Sequence, residues 1–576
     1  MVRAERKLRK GNLGSCAVCF AAMLGILLMP VACMTPDKAI RETDETGTRL
    51  ATEFWQKQTG RTNTFDLCRP ADALTLLIAL LAAARGEQGV IFPSIPQVAA
   101  TGTSNSAYGL SLTGALCVAA RNDRKYQKFK EDIFFRALDL DYQQYAFETS
   151  FSGMLLGVLT GGAGADQARG ASEGAAARKL PDGTAVAARL ALDVVSLLND
   201  DWHSTSISGD LTVTVPLMRG AGRDIVREPL TQAERDLANA IRAFVYYRQT
   251  YAVSVASGYF RVLELAQRLK NALENERRLE ENSKRAEMMF DAGRMQRIQV
   301  DQARTDLLKA GESVILSRMN YATGLDVFKM TLGLPPEAPV TVDPEELRRL
   351  EKQMEQVAES KKSAAADFPE ESDSFRIALA SRQDLLITRS LLEDTERGVM
   401  LAADALRADV ALNVGLATER DRAMGDARFA DTDRWTAGIR AGFPWDRRKE
   451  RNAFKKQLIL VEQAKRILEE QEDRVKLDVR SGLRTLVAAR SSYENQIEAM
   501  KVAQLRVQSN DLFLQSGRST MRDILEAESA MLDARNALCS SVIQWHISEL
   551  ALRRDMGVLD VSDAGIWPVA NGEQHD

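Results

Sequence analysis

The sequence predicts a mainly α-helical chain that also carries a few β-strands of the membrane-barrel type. Three observations support this fold class. Apolar stripes with helical spacing run far beyond the length of a globular helix, short segments alternate apolar and small or polar residues, and the chain repeats itself internally. With 576 residues, the chain is long enough for several domains.

The N-terminus has the layout of an export signal. A basic leader, MVRAERKLRKGNLG, precedes the apolar stretch CAVCFAAMLGILLMPVA, whose small residues end at Cys33. The ending PVAC resembles a bacterial lipobox, in which the cysteine becomes the lipidated first residue. Because Pro30 stands where that motif usually has Leu, an ordinary cleaved leader and an uncleaved anchor helix stay open. We predict a signal peptide over 1–32 and a lipid-anchored segment over 33–109, lipidated at Cys33.

Two copies of one structural plan follow this segment. Gly517 follows Gly293 by 224 positions, and Gly557 follows Gly333 by the same interval, so the match has no gap between these landmarks. Farther upstream, the pentapeptide AARND is echoed by ASRQD. We therefore predict a first repeat over 110–333, a connector over 334–373, a second repeat over 374–557 and a C-terminal tail over 558–576.

Each repeat is predicted to contain two strands. In the second repeat, apolar residues alternate with small or polar ones over about 410–417 and 435–443. In the first repeat the strands are predicted at about 147–159, which is less regular, and 207–217. Such alternation is typical of membrane-barrel strands and also of soluble sheets. Between the two first-repeat strands, the Gly- and Ala-rich stretch 161–183 is predicted to be a flexible loop, and no role is assigned to the insertion 161–205.

Two very long helices are predicted, one in each repeat. Their apolar residues advance by threes and fours without an interrupting proline, and Pro229 and Pro444 stand near the helix starts. Each helix would have roughly 60 to 70 residues, or about 100 Å of length. Helices of this length need coiled-coil packing for their stability.

The composition argues against several classes of function. The formal net charge of −4 provides no basic field for nucleic acid, and the three histidines lie far apart in sequence. The chain has no phosphate-binding loop of the GxxxxGK[ST] type. We therefore expect neither an enzyme, nor a cofactor or metal, nor a nucleic-acid partner.

The predicted strands imply an oligomer if they lie in a membrane. An open sheet would leave backbone groups unpaired in hydrocarbon, and closure needs at least about eight strands. Four strands per chain are too few, so several chains must contribute to one barrel. This argument leaves two, three and four copies open.

These features together resemble the TolC-type outer-membrane efflux factor family. The resemblance rests on the export signal with its lipobox-like cysteine, the duplicated helix–strand–strand–helix halves and the repeated turns AGR…QA and SGR…EA, and it covers about 110–557. It implies a homotrimer, with a shared 12-stranded β-barrel in the outer membrane above a trimeric periplasmic α-barrel of long helices.

The resemblance also implies a function and partners. Such proteins are passive exit ducts in transmembrane transport, serving tripartite efflux pumps or type I secretion systems. They are opened by a periplasmic adaptor (membrane fusion) protein and an inner-membrane efflux pump or ABC transporter. No motif in the sequence indicates what would be exported. An exported coiled-coil scaffold or tether with a small soluble sheet and no channel is the alternative.

The same resemblance places the functional residues at the two turns. It implies a periplasmic gate at Asp523 and Glu526, where the first repeat has Gln299 and Gln302. Three copies would bring six carboxylates to one axis, where they would attract cations or raise their own pKa values. The tip turns and adaptor contacts would be formed by the following residues: Gly293, Arg294, Gly517 and Arg518.

A second interpretation of the acidic residues is equally open. Thr520 and Asp523 have the spacing of a capping box, in which an acid near a helix N-terminus is stabilising by itself. Glu526 would then simply be solvated. The two roles are compatible, because the capping position faces the turn.

Overall fold

The computed structural model describes residues 34–61, 108–160, 167–197, 203–338, 340–343, 346, 348–349, 370–423, 430–443, 445–516 and 518–561. The chain divides into two compact units, one formed by 1–66, 132–241 and 389–467 and the other by 67–131, 242–388 and 468–576. The predicted signal peptide, Cys33, Gly517 and most of the predicted connector lie outside the described residues.

The helices repeat as the sequence predicts. Their bounds are α1 (Pro36–Thr59), α2 (Leu112–Asn122), α3 (Arg124–Tyr145), α4 (Arg223–Val226), α5 (Glu228–Asp291), α6 (Arg297–Thr331), α7 (Glu371–Ser381), α8 (Gln383–Asp404), α9 (Arg448–Gln515) and α10 (Met521–Asp555). The long helices α5 and α9 have 64 and 68 residues, which confirms the predicted length. Their partners α6 and α10 have 35 residues each. None of the described helices is long and apolar enough to cross a membrane.

The main sheet is antiparallel and has the strand order β2-β3-β4-β5-β7-β8. Its strands are β2 (Ser150–Thr160), β3 (Gln167–Lys179), β4 (Ala185–Leu197), β5 (His203–Pro216), β7 (Asp409–Ala423) and β8 (Ala430–Gly442). The four strands predicted at 147–159, 207–217, 410–417 and 435–443 correspond to β2, β5, β7 and β8. All four are present with shifted ends, and β7 and β8 extend beyond the predicted bounds.

The prediction of a flexible loop over 161–183 was wrong. Residues 167–179 form β3, and 185–197 form β4, so the first repeat contributes four strands instead of two. Gly and Ala are depleted in strands and gave β3 no apolar alternation, but β2 and β4 pair with it along its length. The expected barrel of twelve strands assumed four strands per chain, whereas the described sheet has six.

A second, two-stranded sheet was not predicted. Strand β1 (Tyr108–Leu110) pairs in parallel with β6 (Val340–Val342), which lies within the predicted connector. Three-residue runs are too short to show a period, so the sequence offers no signal for this pair. The pairing holds the described start of the connector against the start of the first repeat.

The core of the second unit is built from both repeats. Tyr259 of α5 is fully buried, donates a hydrogen bond from its hydroxyl to the carbonyl oxygen of Leu110 (3.0 Å) and packs edge-on against Phe328. At the end of α10, Leu559 and Val561 are also buried, and the side-chain amide of Gln249 donates to the carbonyl oxygen of Leu559 (2.8 Å). The first residues of the predicted tail therefore belong to the core.

Gly333 and Gly557, at the ends of the two repeats, make equivalent contacts. Gly333 and Gly557 have φ angles of +73° and +71°, a backbone conformation that favours glycine. A Cβ atom on Gly333 would lie 2.6 Å from the carbonyl oxygen of Asn122, and one on Gly557 would lie 3.0 Å from the backbone of Ser381. Asn122 and Ser381 stand at the ends of α2 and α7, so each glycine contacts the corresponding helix of its own repeat.

The segment before the first repeat forms α1, which packs in the first unit. Its buried residues are Gly47, Leu50, Ala51 and Trp55. A Cβ atom on Gly47 would lie 2.4 Å from the ring of Phe134, so α1 lies directly against α3. Within this unit the start of α5 also contacts α8, where Arg397 pairs with Glu228 and Asp394 at 2.7 Å each.

Candidate functional site

The turns at the ends of the two long hairpins share one closing backbone hydrogen bond. Gly293, between α5 and α6, has a φ angle of +68°, as a glycine that ends a helix requires. The backbone N–H of Arg294 donates to the carbonyl oxygen of Met289, and that of Arg518 donates to Phe513, both at 2.8 Å. This six-residue closure is the Schellman-type end of a helix. The side chains of Arg294 and Arg518 are both exposed.

A small apolar core holds the two hairpin ends together. It contains residues from all four long helices: Leu279, Ala286, Val300, Ala303, Ala310, Leu514, Met521, Ile524 and Leu525. The core places the first turn of α10 between neighbouring helices, and it thereby positions the acidic residues predicted to form the gate.

Asp523 caps the N-terminus of α10. Its Oδ2 accepts hydrogen bonds from the backbone N–H of Thr520 (2.8 Å), the hydroxyl of Thr520 (2.7 Å) and the hydroxyl of Ser519 (3.1 Å). These bonds, led by that of the Thr520 backbone, lower the pKa of Asp523 below its ordinary value because they favour the charged carboxylate. The structure therefore places Asp523 in the capping role and keeps it ionised near neutral pH.

Glu526 is paired across the hairpin. Its Oε1 lies 2.8 Å from Nη2 of Arg506 on α9, and both side chains are about half exposed or more. Nearby, the side-chain amide of Asn510 donates to the carbonyl oxygen of Asp523 (3.0 Å). Sequence reasoning missed Arg506 and Asn510. Both stand nearly as far before the turn as their partners stand after it, and this symmetry of an antiparallel hairpin is the signal that could have identified them.

The first repeat has uncharged residues at the corresponding positions. Gln299 is partly buried and its backbone N–H donates to the carbonyl oxygen of Gln296 (3.0 Å), while Gln302 is exposed. The position equivalent to Arg506 is Asn282, which is only 8% exposed. The two hairpin ends thus share a closing hydrogen bond and differ in charge.

Ion pairs near the turns connect the first hairpin to the second. Arg278 on α5 lies 3.1 Å from Glu528 on α10, whose side chain is largely buried. Arg285 on α5 lies 2.6 Å from Asp511 on α9. Together with the Arg506–Glu526 pair, they place three arginines beside the acidic groups around the second turn.

The main sheet has two chemically different faces, which are fixed by its register. We call the face that contains Phe151 and Trp435 the apolar face. Leu211, Leu416 and Trp435 are register neighbours on it, and Phe151 (80%), Trp435 (75%) and Ile439 (69%) are strongly exposed. Its other exposed apolar side chains are Leu155, Leu190, Leu192, Ile207, Leu211, Val414 and Leu416. An exposed apolar area that extends over five of the six strands marks a surface that is covered by a membrane or a partner.

The opposite face, which we call the polar face, carries hydroxyl, amide and charged groups. Thr214 donates a hydrogen bond from its hydroxyl to Oδ1 of Asn413 (3.0 Å) across β5 and β7. Asp210 and Arg434 are register positions of the same face. Strand β2 departs from this pattern, because Met154, Leu156 and Val158 also lie on the polar face.

The described residues hold no cluster of His, Cys, Asp or Glu suited to a metal ion. His546 is buried beside Phe260, and burial lowers its pKa below the ordinary value, so this imidazole is neutral near pH 7.

Comparison with solved structures places the fold among outer-membrane channels. The outer-membrane channel OprN is 14% identical, with a TM-score of 0.53, and the match covers 81% of this chain and 98% of that one. CusC is 13% identical with a TM-score of 0.55 over 82% of this chain and 98% of its own. The open-state outer-membrane channel MtrE of Neisseria gonorrhoeae is 12% identical with a TM-score of 0.54, over 82% and 99%. No protein-family model matches the sequence, and no curated protein sequence matches it.

At these identities the likeness shows the fold. The matches cover nearly the whole length of each channel and about four fifths of this chain, so this chain has the fold of these outer-membrane channels. The expectation from the sequence resemblance is confirmed at that level.

Proposed function

We propose that this chain, which has the fold of the outer-membrane efflux channels, is a TolC-type outer-membrane exit duct. Copies of it would assemble, as a homotrimer by the family resemblance, into a barrel in the outer membrane above a periplasmic tube of helices. Cys33 would carry a lipid anchor on the mature N-terminus. The duct is passive, and its substrate would be delivered by an inner-membrane efflux pump or ABC transporter through a periplasmic adaptor.

The two-faced sheet is the observation that carries this proposal. Its apolar face exposes large side chains across five of the six strands, β2, β4, β5, β7 and β8, and its edges at β2 and β8 pair with no other strand among the described residues. A sheet of six strands is too small to close on itself, because membrane barrels have at least about eight. Copies joined edge to edge would satisfy the backbone and turn the apolar face to lipid.

The gate of the proposed duct lies at the second turn. Asp523 and Glu526 would line the constriction, with Gln299 and Gln302 at the matching positions of the first repeat. Gly293 and Gly517 would form the tip turns, and the exposed Arg294 and Arg518 would contact the adaptor. The support for this placement is the closing hydrogen bond that both turns share and the concentration of charge around the second turn.

The proposal is tested by fractionation and by electrophysiology. A duct partitions with outer membranes, needs detergent for extraction, migrates as a heat-sensitive oligomer and conducts in planar lipid bilayers. The alternative, an exported coiled-coil scaffold, would be released by salt and would not conduct. Release by salt alone, with no conductance from the purified oligomer, would refute the duct.

The gate is tested by neutralising its two acids. We expect Asp523→Asn combined with Glu526→Gln to raise single-channel conductance and weaken block by divalent cations, because six carboxylates would leave the axis. The matched control is Gln302→Asn, at the equivalent position of the first repeat. If conductance and cation block stay the same in the double variant, the two acids serve only the helix start.

A further inference from the structure

The hairpin of β3 and β4 is the part of the sheet that the proposed function does not explain. Apart from the four-residue α4, the described helices of the first repeat correspond to those of the second and nearly match them in length, but the first repeat contributes these two strands in addition to its pair. The hairpin stands between β2 and β5, which would otherwise be neighbours. Three features indicate the role of this hairpin: its pairing with the neighbouring strands, the residues on its two faces, and the turn that joins β3 to β4.

The hairpin is a full member of the sheet. β3 pairs with β2 from Gln167 to Ala177 and with β4 over its whole length, and β4 pairs with β5 over twelve positions. Both hairpin strands have 13 residues, which exceeds the roughly 9 to 11 that a tilted membrane strand needs. The hairpin is therefore long enough to span the same membrane layer as the other strands.

The two faces of the hairpin agree with the two faces of the sheet. Leu190 and Leu192 of β4 lie on the apolar face, in register with Ile207 and its neighbours on β5. On the polar face, Arg169 donates to Asp193 from Nε (3.1 Å), and Arg189 donates to Glu173 from Nη2 (2.8 Å). The charged residues of the hairpin in these pairs thus lie on the polar face, which would line a lumen. The β4 residues on the apolar face, from Val186 to Val194, are all uncharged.

The inner turn of the hairpin is anchored to the chain. Gly183 has a φ angle of +96°, and a Cβ atom there would lie 2.8 Å from the carbonyl oxygen of Gly220 and 3.0 Å from Val226. Asp182 accepts hydrogen bonds from the backbone N–H (2.9 Å) and the hydroxyl (3.0 Å) of Thr184. The turn is therefore packed against the connection from β5 to α4, at the helical end of the sheet.

Because the hairpin adds an even number of strands, the sheet can still close into a barrel with other copies of the chain. Two added strands leave β2 and β5 antiparallel, so the up-and-down alternation continues through the sheet. Because six is even, β8 of one copy meets β2 of the next in antiparallel orientation at every seam. A second copy of this chain is therefore the partner that fits each open edge.

From these observations we infer that the β3–β4 hairpin is a lipid-facing wall element that widens the outer-membrane barrel. Each copy supplies six strands, and a trimer forms a barrel of eighteen strands, with the Arg169–Asp193 and Arg189–Glu173 pairs facing the lumen. Barrel diameter grows roughly linearly with strand number, so the mouth is about 1.5 times as wide as one built from four strands per copy. This inference rests on the proposed function.

Paired alanines of the hairpin provide the test. Ala187 and Ala188 are adjacent and lie on opposite faces, as do Ala175 and Ala176. Single cysteine variants of the full chain are reconstituted in liposomes and exposed to a charged, membrane-impermeant thiol reagent or to a lipid-soluble maleimide. We expect Ala187→Cys and Ala175→Cys to react with the charged reagent, and Ala188→Cys and Ala176→Cys to react only with the lipid-soluble one.

A variant that lacks residues 161–202, and with them the β3–β4 hairpin, tests the predicted width of the barrel. Graded uncharged polyethylene glycols added from the outer side of a bilayer should enter the full-length channel at a larger size than the shortened one, by a diameter ratio of about 1.5. Equal reaction of all four cysteines with the charged reagent would place the hairpin in water and overturn the inference, whether or not the deletion variant assembles. Those results would leave a conducting channel in place, whereas a full-length protein that does not conduct would refute the duct.

Discussion

The two repeats of this chain are alike in their helices and differ in their strands and turns. Their helix pairs have equal lengths of 11, 22 and 35 residues, and the long helices differ by only four. In the described main sheet the first repeat has four strands where the second has two. The first turn is followed by Gln299 and Gln302, whereas the second is followed by Asp523 and Glu526.

The difference shows where packing constrains the chain. The helices share one core, in which residues such as Tyr259 and Trp545 lie in the same buried cluster, so a change in one repeat affects the other. The sheet can accept the β3–β4 hairpin because two added strands preserve both the antiparallel order of the strands and the separation into an apolar and a polar face. The turns can change charge because their side chains are largely exposed. The repeats have therefore kept the helices and diverged where divergence costs little.

The largest loss of stability is expected when Gly333 or Gly557, at the ends of the two repeats, is replaced. Gly333→Ala places a side chain in a left-handed conformation and against the backbone of Asn122, which should lower the free energy of unfolding by roughly 3 kcal/mol. Gly557→Ala should cost somewhat less, because its closest contact is at 3.0 Å instead of 2.6 Å. Denaturant unfolding followed by circular dichroism at 222 nm measures both.

Gly293→Ala is the matched control for these variants. Its φ angle of +68° is nearly the same, but no atom lies within 4 Å of the added Cβ. Only the conformational cost of about 1 kcal/mol should remain. Equal losses for all three variants would mean that close packing plays no part, and that the repeats are not closed by these contacts.

A smaller loss of stability is expected when Asp523, which caps the N-terminus of α10, is replaced. Asp523→Ala removes an acceptor from Thr520 and Ser519 and should cost about 1 kcal/mol, while Gln299→Ala, at the equivalent position, should cost close to nothing. The lowered pKa of Asp523 sets the pH dependence: its contribution is fully present above the ordinary aspartate pKa of about 4 and is lost as pH falls through the lowered value. Denaturation between pH 2 and 7 should show this loss in the parent protein and not in Asp523→Asn. A loss of equal size in both would assign it to other carboxylates.

Much of the fold could be predicted from the sequence, because its main signals are long and periodic. The long helices, the repeat interval and four strands of alternating residues were each visible. The hairpin was not, because Gly174, Ala175 and Ala176 carry no apolar alternation, and the neighbouring strands provide the pairing that makes β3 a strand. On β4, the adjacent Val194 and Val195 interrupt an alternation that was otherwise present.

The candidate site was predictable in position and only partly in chemistry. The turn and its acidic residues followed from the repeat. Arg506 could have been placed opposite Glu526 from the symmetry of the hairpin, whereas Arg278 is brought to Glu528 only by the folding of the first hairpin against the second. The choice of Asp523 as a cap depends on hydrogen bonds from Thr520 and Ser519, and a spacing motif can suggest these bonds without establishing them.

For the isolated chain, the smallest effect on stability is expected from the Arg506–Glu526 pair, and it tests the charge difference between the hairpins most directly. Changing Arg506→Asn together with Glu526→Gln gives the second hairpin the residues of the first, Asn282 and Gln302. In the isolated chain the pair is exposed, so a double-mutant cycle should give a coupling of about 0.5 kcal/mol that shrinks when salt rises from 0.1 to 0.5 M. In the assembled channel the same cycle reports on the gate, because neighbouring copies that exclude water from the turn would raise the coupling to about 2 kcal/mol or more and make it insensitive to salt. Equal, salt-sensitive coupling in both states would place this pair in solvent, away from a closed constriction.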